Sequence, residues 1–131
     1  MCCLFGLYDY GQSLSARQKS RIISALAVAA EARGTDAAGI AYLSGSHLSI
    51  YKRPLPAHRL RFRIPASANI VMGHTRMTTQ GSEHRNYNNH PFYGQIGSMD
   101  FPVVTKCYNK LCSKSFFTKL SYFCRTIDLS L

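Results

Sequence analysis

A chain of 131 residues, 46% of them hydrophobic and 17% charged, is long and apolar enough for one folded domain with a core, and this composition excludes a disordered chain. Its best apolar window, IISALAVAA at 22–30, is half of the roughly 18–20 residues that a membrane helix needs. The formal charge of +10 raises nucleic acid as a partner, but residues 1–101 carry 11 Lys and Arg against 5 acids and the rest carry 5 against 1, a spread that does not suit a dedicated nucleic-acid reader.

In chain order, CLFGLY at 3–8 has the apolar and aromatic character of a buried strand, which ties the start of the chain into the core. DYGQS at 9–13 carries turn chemistry. Ser15 is placed to cap a helix whose apolar positions Ile22, Ile23, Leu26, Ala29 and Ala30 keep helical spacing to about Ala32, with Gly34 as the stop. AAGIAYLS at 37–44 and HLSIYKR at 47–53, joined by Gly45-Ser46, predict a hairpin. Pro54, Pro56 and Pro65 then break the chain into loop, with one helical turn near His58. Within KRPLPAHRLRFRIP at 52–65, Arg59, Arg61 and Arg63 alternate with Leu60 and Phe62, as the solvated side of a strand or extended loop does. The competing reading of that stretch is a contact with an anion or RNA. ANIVMGHTRM at 68–77 predicts another strand, and TTQGSEHRNYNNHPF at 78–92 a polar binding loop held by a scaffold. After Phe101 the character changes. Residues 102–131 hold three of the five cysteines, no glycine, and Asp128 as their only acid; KLCSKSFFTKLSYFC at 110–124 fits a loose amphipathic helix.

Cys2 is the residue with the clearest chemical potential. A thiol with a pKa near about 8.5 is only slightly ionised at neutral pH and needs a base to become a nucleophile. Loss of Met1 would bring an α-amino group of pKa about 8 within reach of the same residue's sulfur, so that one residue supplies both nucleophile and base. The alternative is a small buried hydrophobe, the role expected of Cys3. RGTDAAGIAY at 33–42, MGHTRMTTQGS at 72–82 and NNHPF at 88–92, together with the start MCCLFG, resemble in order and spacing the signature blocks of the class II glutamine amidotransferases. The resemblance covers about residues 1–101.

That resemblance implies an α/β fold of the N-terminal-nucleophile hydrolase type, an α/β/β/α sandwich of which this chain holds an incomplete version. It implies a glutaminase in which Cys2 attacks the side-chain amide of L-glutamine and releases ammonia through a γ-glutamyl thioester. Arg76 suits the substrate carboxylate, because a guanidinium binds a carboxylate bidentately; Thr79 and Gln80 match positions that line the same pocket. Arg33 and Asp36 are expected to pair and support the site, and Gly34 and Gly39 to serve tight backbone geometry. His74 and His90 offer a Cys–His pair, although the family's base is the terminal amine. Neither a metal nor an organic cofactor is implied, and Cys107 and Cys112 lack the second pair of a tetrahedral metal site. The implied partners are L-glutamine and a synthase domain or subunit that accepts the ammonia; a homo-oligomer is compatible with this reading, and a membrane is not expected.

The chain also departs from the family. Cys3 stands where Gly usually follows the nucleophile. The His-Asn-Gly block that supplies the oxyanion donors is expected soon after HPF, and GSMDFPVVTKCYNKLC at 97–112 occupies its place. No Gly-Asp for the substrate ammonium follows, and Asn109 lies outside any such motif. Residues 102–131 are therefore read as a divergent tail, the truncated or frame-shifted end of a longer product, with a genuine ending that packs on the sheet as the alternative. The odd, partly adjacent cysteines argue for reduced thiols, and residues 1–11 lack a secretory pattern, so a cytoplasmic location is expected. The rival functions are another N-terminal-Cys amidase, and an inactive remnant or basic module that binds RNA or an acidic partner.

Overall fold

The computed structural model describes residues 2–79 and 82–103. Four strands, β1 (Cys3–Tyr8), β2 (Ala37–Ser44), β3 (His47–Arg53) and β4 (Ala68–Arg76), form one antiparallel sheet in the order β1-β4-β2-β3. β2 and β3 meet through the two-residue turn Gly45-Ser46, where Gly45 has a φ of 61° that disfavours side chains with a Cβ. The hairpin thus falls where the sequence placed it. β1 does not become the buried strand expected of it. Among the described residues it is an edge strand that pairs only with β4, and Leu4, Gly6 and Tyr8 on one side are exposed while Cys3, Phe5 and Leu7 are half-buried. Cys3 is accordingly half-buried, short of the core role expected for it.

Helix α1 (Ala16–Ala30) begins at a reciprocal cap. The Ser15 amide donates to Gln18 Oε1 at 2.9 Å and the Gln18 amide donates to Ser15 Oγ at 3.3 Å, which satisfies two otherwise orphaned donors. Its buried stripe is Lys19, Ile23, Ala27 and Ala30. The apolar spacing had pointed one step round the helix, yet Leu26 and Ala29 face solvent. The reason is a charge that periodicity cannot place. Lys19 Nζ lies 2.9 Å from Asp9 Oδ2 and donates to the carbonyls of Ala66 and Ala68 at 2.7 and 2.6 Å, wholly out of solvent. Asp9 in turn accepts the amides of Ser13 and Leu14 at 3.0 and 3.1 Å. Lys19 holds the Asp9 carboxyl below the usual carboxylate range, against the opposing effect of burial. A buried ion pair with every partner supplied is tolerable, whereas either half alone is not. It sets the rotation of α1 on the sheet and tethers the start of β4.

The helix tightens into a 3-10 turn at Glu31–Arg33 before Gly34. On the helix side of the sheet Ile23 and Ala27 pack with Ala38, Ile40 and Val71, with Phe5, Leu7, Tyr42 and Tyr51 around them. The segment after β3 closes this core. Leu60, Phe62 and Ile64 point in and Arg59, Arg61 and Arg63 point out, as the alternation predicted, and the Ile64 amide donates to Ser20 Oγ of α1 at 2.9 Å. The predicted helical turn is the 3-10 turn Ala57–Arg59. Each large apolar side chain buried here contributes ~1.5–3 kcal/mol.

Beyond the polar loop, β5 (Phe92–Ile96) and β6 (Met99–Val103) form a second antiparallel hairpin that turns at Gly97, where φ is 59°. No strand was expected there, because Gly94 and Pro102 interrupt the pattern; β6 runs across Phe101. The described residues therefore make a mixed α/β fold of two antiparallel sheets and one α-helix, as the α/β expectation required. Among them no helix is long and apolar enough to cross a membrane.

Candidate active site

The sequence blocks meet at one corner of the larger sheet. β4 lies between β1 and β2, with Cys3 opposite Thr75 and Ala37 opposite Arg76. That register brings the Cys2 thiol, 75 residues away in sequence, to 3.8 Å from the Met77 carbonyl. Cys2 is half-buried and, like Cys3, a free thiol. The 33–36 block closes on the same corner. The Asp36 amide donates to the Arg76 carbonyl at 3.0 Å, and the Asp36 carboxylate accepts the Thr78 amide at 2.6 Å. Gly34 lies so close to this turn that an added Cβ would run into the Arg76 carbonyl carbon, which gives the glycine its reason. Thr75 Oγ1 donates to the Ala30 carbonyl at 2.9 Å and ties the corner to the end of α1. Arg33 lies exposed at the end of the 3-10 turn, and Asp36 bonds to the backbone of residues 76 and 78.

Arg76 is 4% exposed, and its Nη1 donates to the Asn88 carbonyl at 2.9 Å and to Asn89 Oδ1 at 2.7 Å. Asn89, 0% exposed, passes the connection on, its Nδ2 donating to the Glu83 carbonyl at 2.8 Å. Lys52 Nζ donates to the Asn89 carbonyl at 2.6 Å and sits 4.9 Å from the Phe92 ring centre, while Asn86 Nδ2 returns a bond to the Lys52 carbonyl at 2.9 Å. A loop with no apolar periodicity is thereby held in one shape by amides and two cations. Lys52 corrects the reading of 52–65 as a wholly solvated basic face: at its first position the cation is drawn inward, and burial lowers its pKa.

His74 and His90 lie within this frame, their ring centres 4.3 Å apart, and Phe92 stands 4.4 Å beyond His90. Both histidines are buried. Burial foremost, then the charges of His74, Arg76 and Lys52, pushes the His90 pKa down to about 3. His90 is therefore a neutral imidazole at physiological pH, able to donate or accept a hydrogen bond but not to serve as a cationic acid. Gly39 of β2 lets this pair sit against the sheet, since a Cβ there would collide with the His90 carbonyl and, at 2.9 Å, with Pro91 Cδ. The His90–Pro91 peptide is cis.

Cys2, Gly34, Asp36 and Arg76 thus share one corner, with Gly39, His74 and His90 joined to it through the 86–90 loop. Thr79 is exposed at the outer end of the corner, and Gln80 lies outside the described residues, as do Cys107, Asn109 and Cys112. Lys52, Asn86 and Asn89 were not singled out from the sequence. Asn89 carried a signal, as a middle residue of the NNHPF block; Lys52 carried none beyond its strand position. Among the described residues no group of three or more His, Cys, Asp or Glu is arranged to hold a metal ion. Comparison with protein-family models, characterised proteins and solved structures gives no match for this chain.

Proposed function

We propose that the chain is a glutaminase of the class II amidotransferase type, with the N-terminal-nucleophile sandwich as its parent fold. The observation that carries this reading is the approach of the Cys2 thiol to within 3.8 Å of the Met77 carbonyl, next to Arg76 and the Asp36 turn. A nucleophile at position 2 and a carboxylate-binding cation at position 76 come to the same corner, as an amidase acting on glutamine requires. Once Met1 is removed, the α-amino group of Cys2 takes the thiol proton and the sulfur attacks the glutamine side-chain carbonyl. The tetrahedral intermediate collapses as the ammonium returns that proton to the leaving amine, releasing ammonia. Water, deprotonated by the same amine, then cleaves the γ-glutamyl thioester to glutamate and restores the thiol. Arg76 holds the substrate carboxylate, and neutral His90, with His74, supports the wall behind it. Ammonia passes to a synthase domain or subunit.

The test is ammonia release from L-glutamine by the full chain beside Cys2→Ala, with mass spectrometry to establish loss of Met1. The wild-type chain releases ammonia and the variant falls to background. Background release from both, with Met1 removed, would sink the catalytic reading. That outcome would favour an inactive remnant, a reading supported by the absence of a His-Asn-Gly block, since loss of one oxyanion donor costs about 10²–10³ in rate. Cleavage of simple acyl amides in preference to glutamine would identify a different N-terminal-Cys amidase.

A further inference from the structure

Arg59, Arg61 and Arg63 have no part in the proposed reaction, and the fold sets them in a place that a count of charges along the chain does not reveal. The His58 amide donates to Glu31 Oε1 at 2.6 Å near the end of α1, and the Ile64 amide donates to Ser20 Oγ at 2.9 Å in its first half. Residues 58–64 therefore run antiparallel along one flank of the helix. Leu60, Phe62 and Ile64 are buried beneath, which pins the backbone and holds Arg59, Arg61 and Arg63 outward in a row. Alternate residues of an extended chain stand ~6.6 Å apart, comparable to the step between neighbouring phosphates on one nucleic-acid strand. On α1, Arg17 and Arg21 lie about 60° and about 100° round from Ser20, both on the side away from the buried Lys19 stripe. They are exposed, and they form a second short row beside the Arg63 end of the first. Charges spread along the sequence are thus gathered on one flank.

Nothing among the described residues neutralises this flank. Asp9 is paired with Lys19, Glu31 with His58 and Glu83 with His84, while Asp36 accepts the Thr78 amide and Asp100 the Tyr93 hydroxyl. None of the five arginines has an ion pair among the described residues. Guanidinium groups suit phosphate, which they bind bidentately. Between its arginines the 59–63 row exposes no apolar side chain, so it lacks the apolar centre of a protein interface. The Phe62 ring is in the core, so the row offers no aromatic face on which a base could stack. What remains is a rigid line of cations suited to a phosphate chain, without groups placed to read bases.

We propose that Arg59, Arg61 and Arg63, with Arg17 and Arg21 of α1, form a binding face for the phosphate backbone of a nucleic acid, indifferent to base sequence and sharing no residue with the Cys2 corner. The test is fluorescence anisotropy of the full chain with labelled DNA and RNA duplexes of about 20 base pairs, each in two unrelated sequences, over a salt series. The expected result is equal affinity for the two sequences and a steep salt dependence. Five phosphate contacts give a slope of about −4.5 in log K against log salt on duplex DNA. Arg61→Gln/Arg63→Gln should flatten that slope by about 2 and weaken binding about tenfold or more at ~0.1 M salt. Arg53→Gln/Arg85→Gln takes the same charge from exposed positions elsewhere and should leave the slope unchanged. Tighter binding of the RNA or of the DNA duplex then tells which of the two the face fits. Equal losses in the two variants would reduce the effect to net charge and overturn the proposal, as would no binding at about 0.05 M salt. Displacement of the duplex by poly-glutamate as readily as by unlabelled duplex would overturn it in favour of an acidic protein partner.

Discussion

His90 offers the sharpest quantitative test, because its burial fixes both the sign and the pH window of an effect on stability. Its ordinary value of 6.5 is depressed to about 3 in the fold, where the ring sits among His74, Arg76, Lys52 and Phe92. Below pH 6.5 the unfolded chain binds a proton that the folded His90 refuses, so stability is full above that pH and is lost as the pH falls towards the folded value. The limiting slope is about 1.4 kcal/mol per pH unit, and the loss at about pH 5 is about 2 kcal/mol. That loss depends only on the folded pKa lying below 5, not on its precise position. Asp9 and Glu31 are both held below the ordinary carboxylate range, so their titration falls on the acid side of the window. Urea unfolding at about pH 7.5 and about pH 5 measures the slope in the wild type and in His90→Gln, whose side chain is neutral throughout. The variant starts from a lower stability but should lose about 2 kcal/mol less between the two pH values. Equal losses in both proteins would refute the assignment of a dry, neutral imidazole to this position.

Gly39→Ala should cost at least about 1–3 kcal/mol, because the obstacles include the His90 carbonyl and the Pro91 ring rather than a mobile side-chain tip; thermal unfolding checks it, and a neutral result would mean that the 86–92 loop does not lie against β2. Lys19→Met strands Asp9 in the interior and deprives the Ala66 and Ala68 carbonyls of their donor, so Tm should drop by about 10 °C or more, with scanning calorimetry as the measurement. Asn89→Ala removes one acceptor of Arg76 and the donor to Glu83, at a cost of about 1–3 kcal/mol. Hydrogen exchange across 82–90 should quicken in that variant while α1 stays protected; unchanged exchange would show that the loop is held by other means.

What the sequence made legible, and what it hid, divides along a physical line. Ser15, the Gly45-Ser46 turn, the Arg59–Arg63 alternation and the 68–76 strand all state their structure within a few residues, through capping, turn chemistry or side-chain period. The burial of Lys19 does not, since it depends on Asp9 ten positions earlier and on carbonyls near residue 67. The exposure of Leu26 follows from the same pair rather than from anything in the helix itself. Edge or centre is likewise a property of the whole sheet, which is why CLFGLY looked buried and became a half-open edge.

The site shows the same division in sharper form. Its blocks could be recognised one by one, because each keeps its own residue types, but the bonds that join them cross between blocks: Cys2 to Met77, Asp36 to Thr78, Arg76 to Asn89, Lys52 to Asn89. Three of the four involve a backbone group, to which residue identity gives no clue. Asn89 also unites the two demands made on this corner. Its side chain accepts from Arg76 and its carbonyl from Lys52, so the loop that screens His90 is held by the cation assigned to the substrate carboxylate. Under the proposed function, binding at Arg76 would therefore be coupled to order in the 82–90 loop through Asn89. A ligand carboxylate that engages the guanidinium without displacing Asn89 should slow exchange in the loop, and one that displaces it should speed exchange. Hydrogen exchange with and without L-glutamine distinguishes the two, and an unchanged loop would separate Arg76 from the substrate altogether.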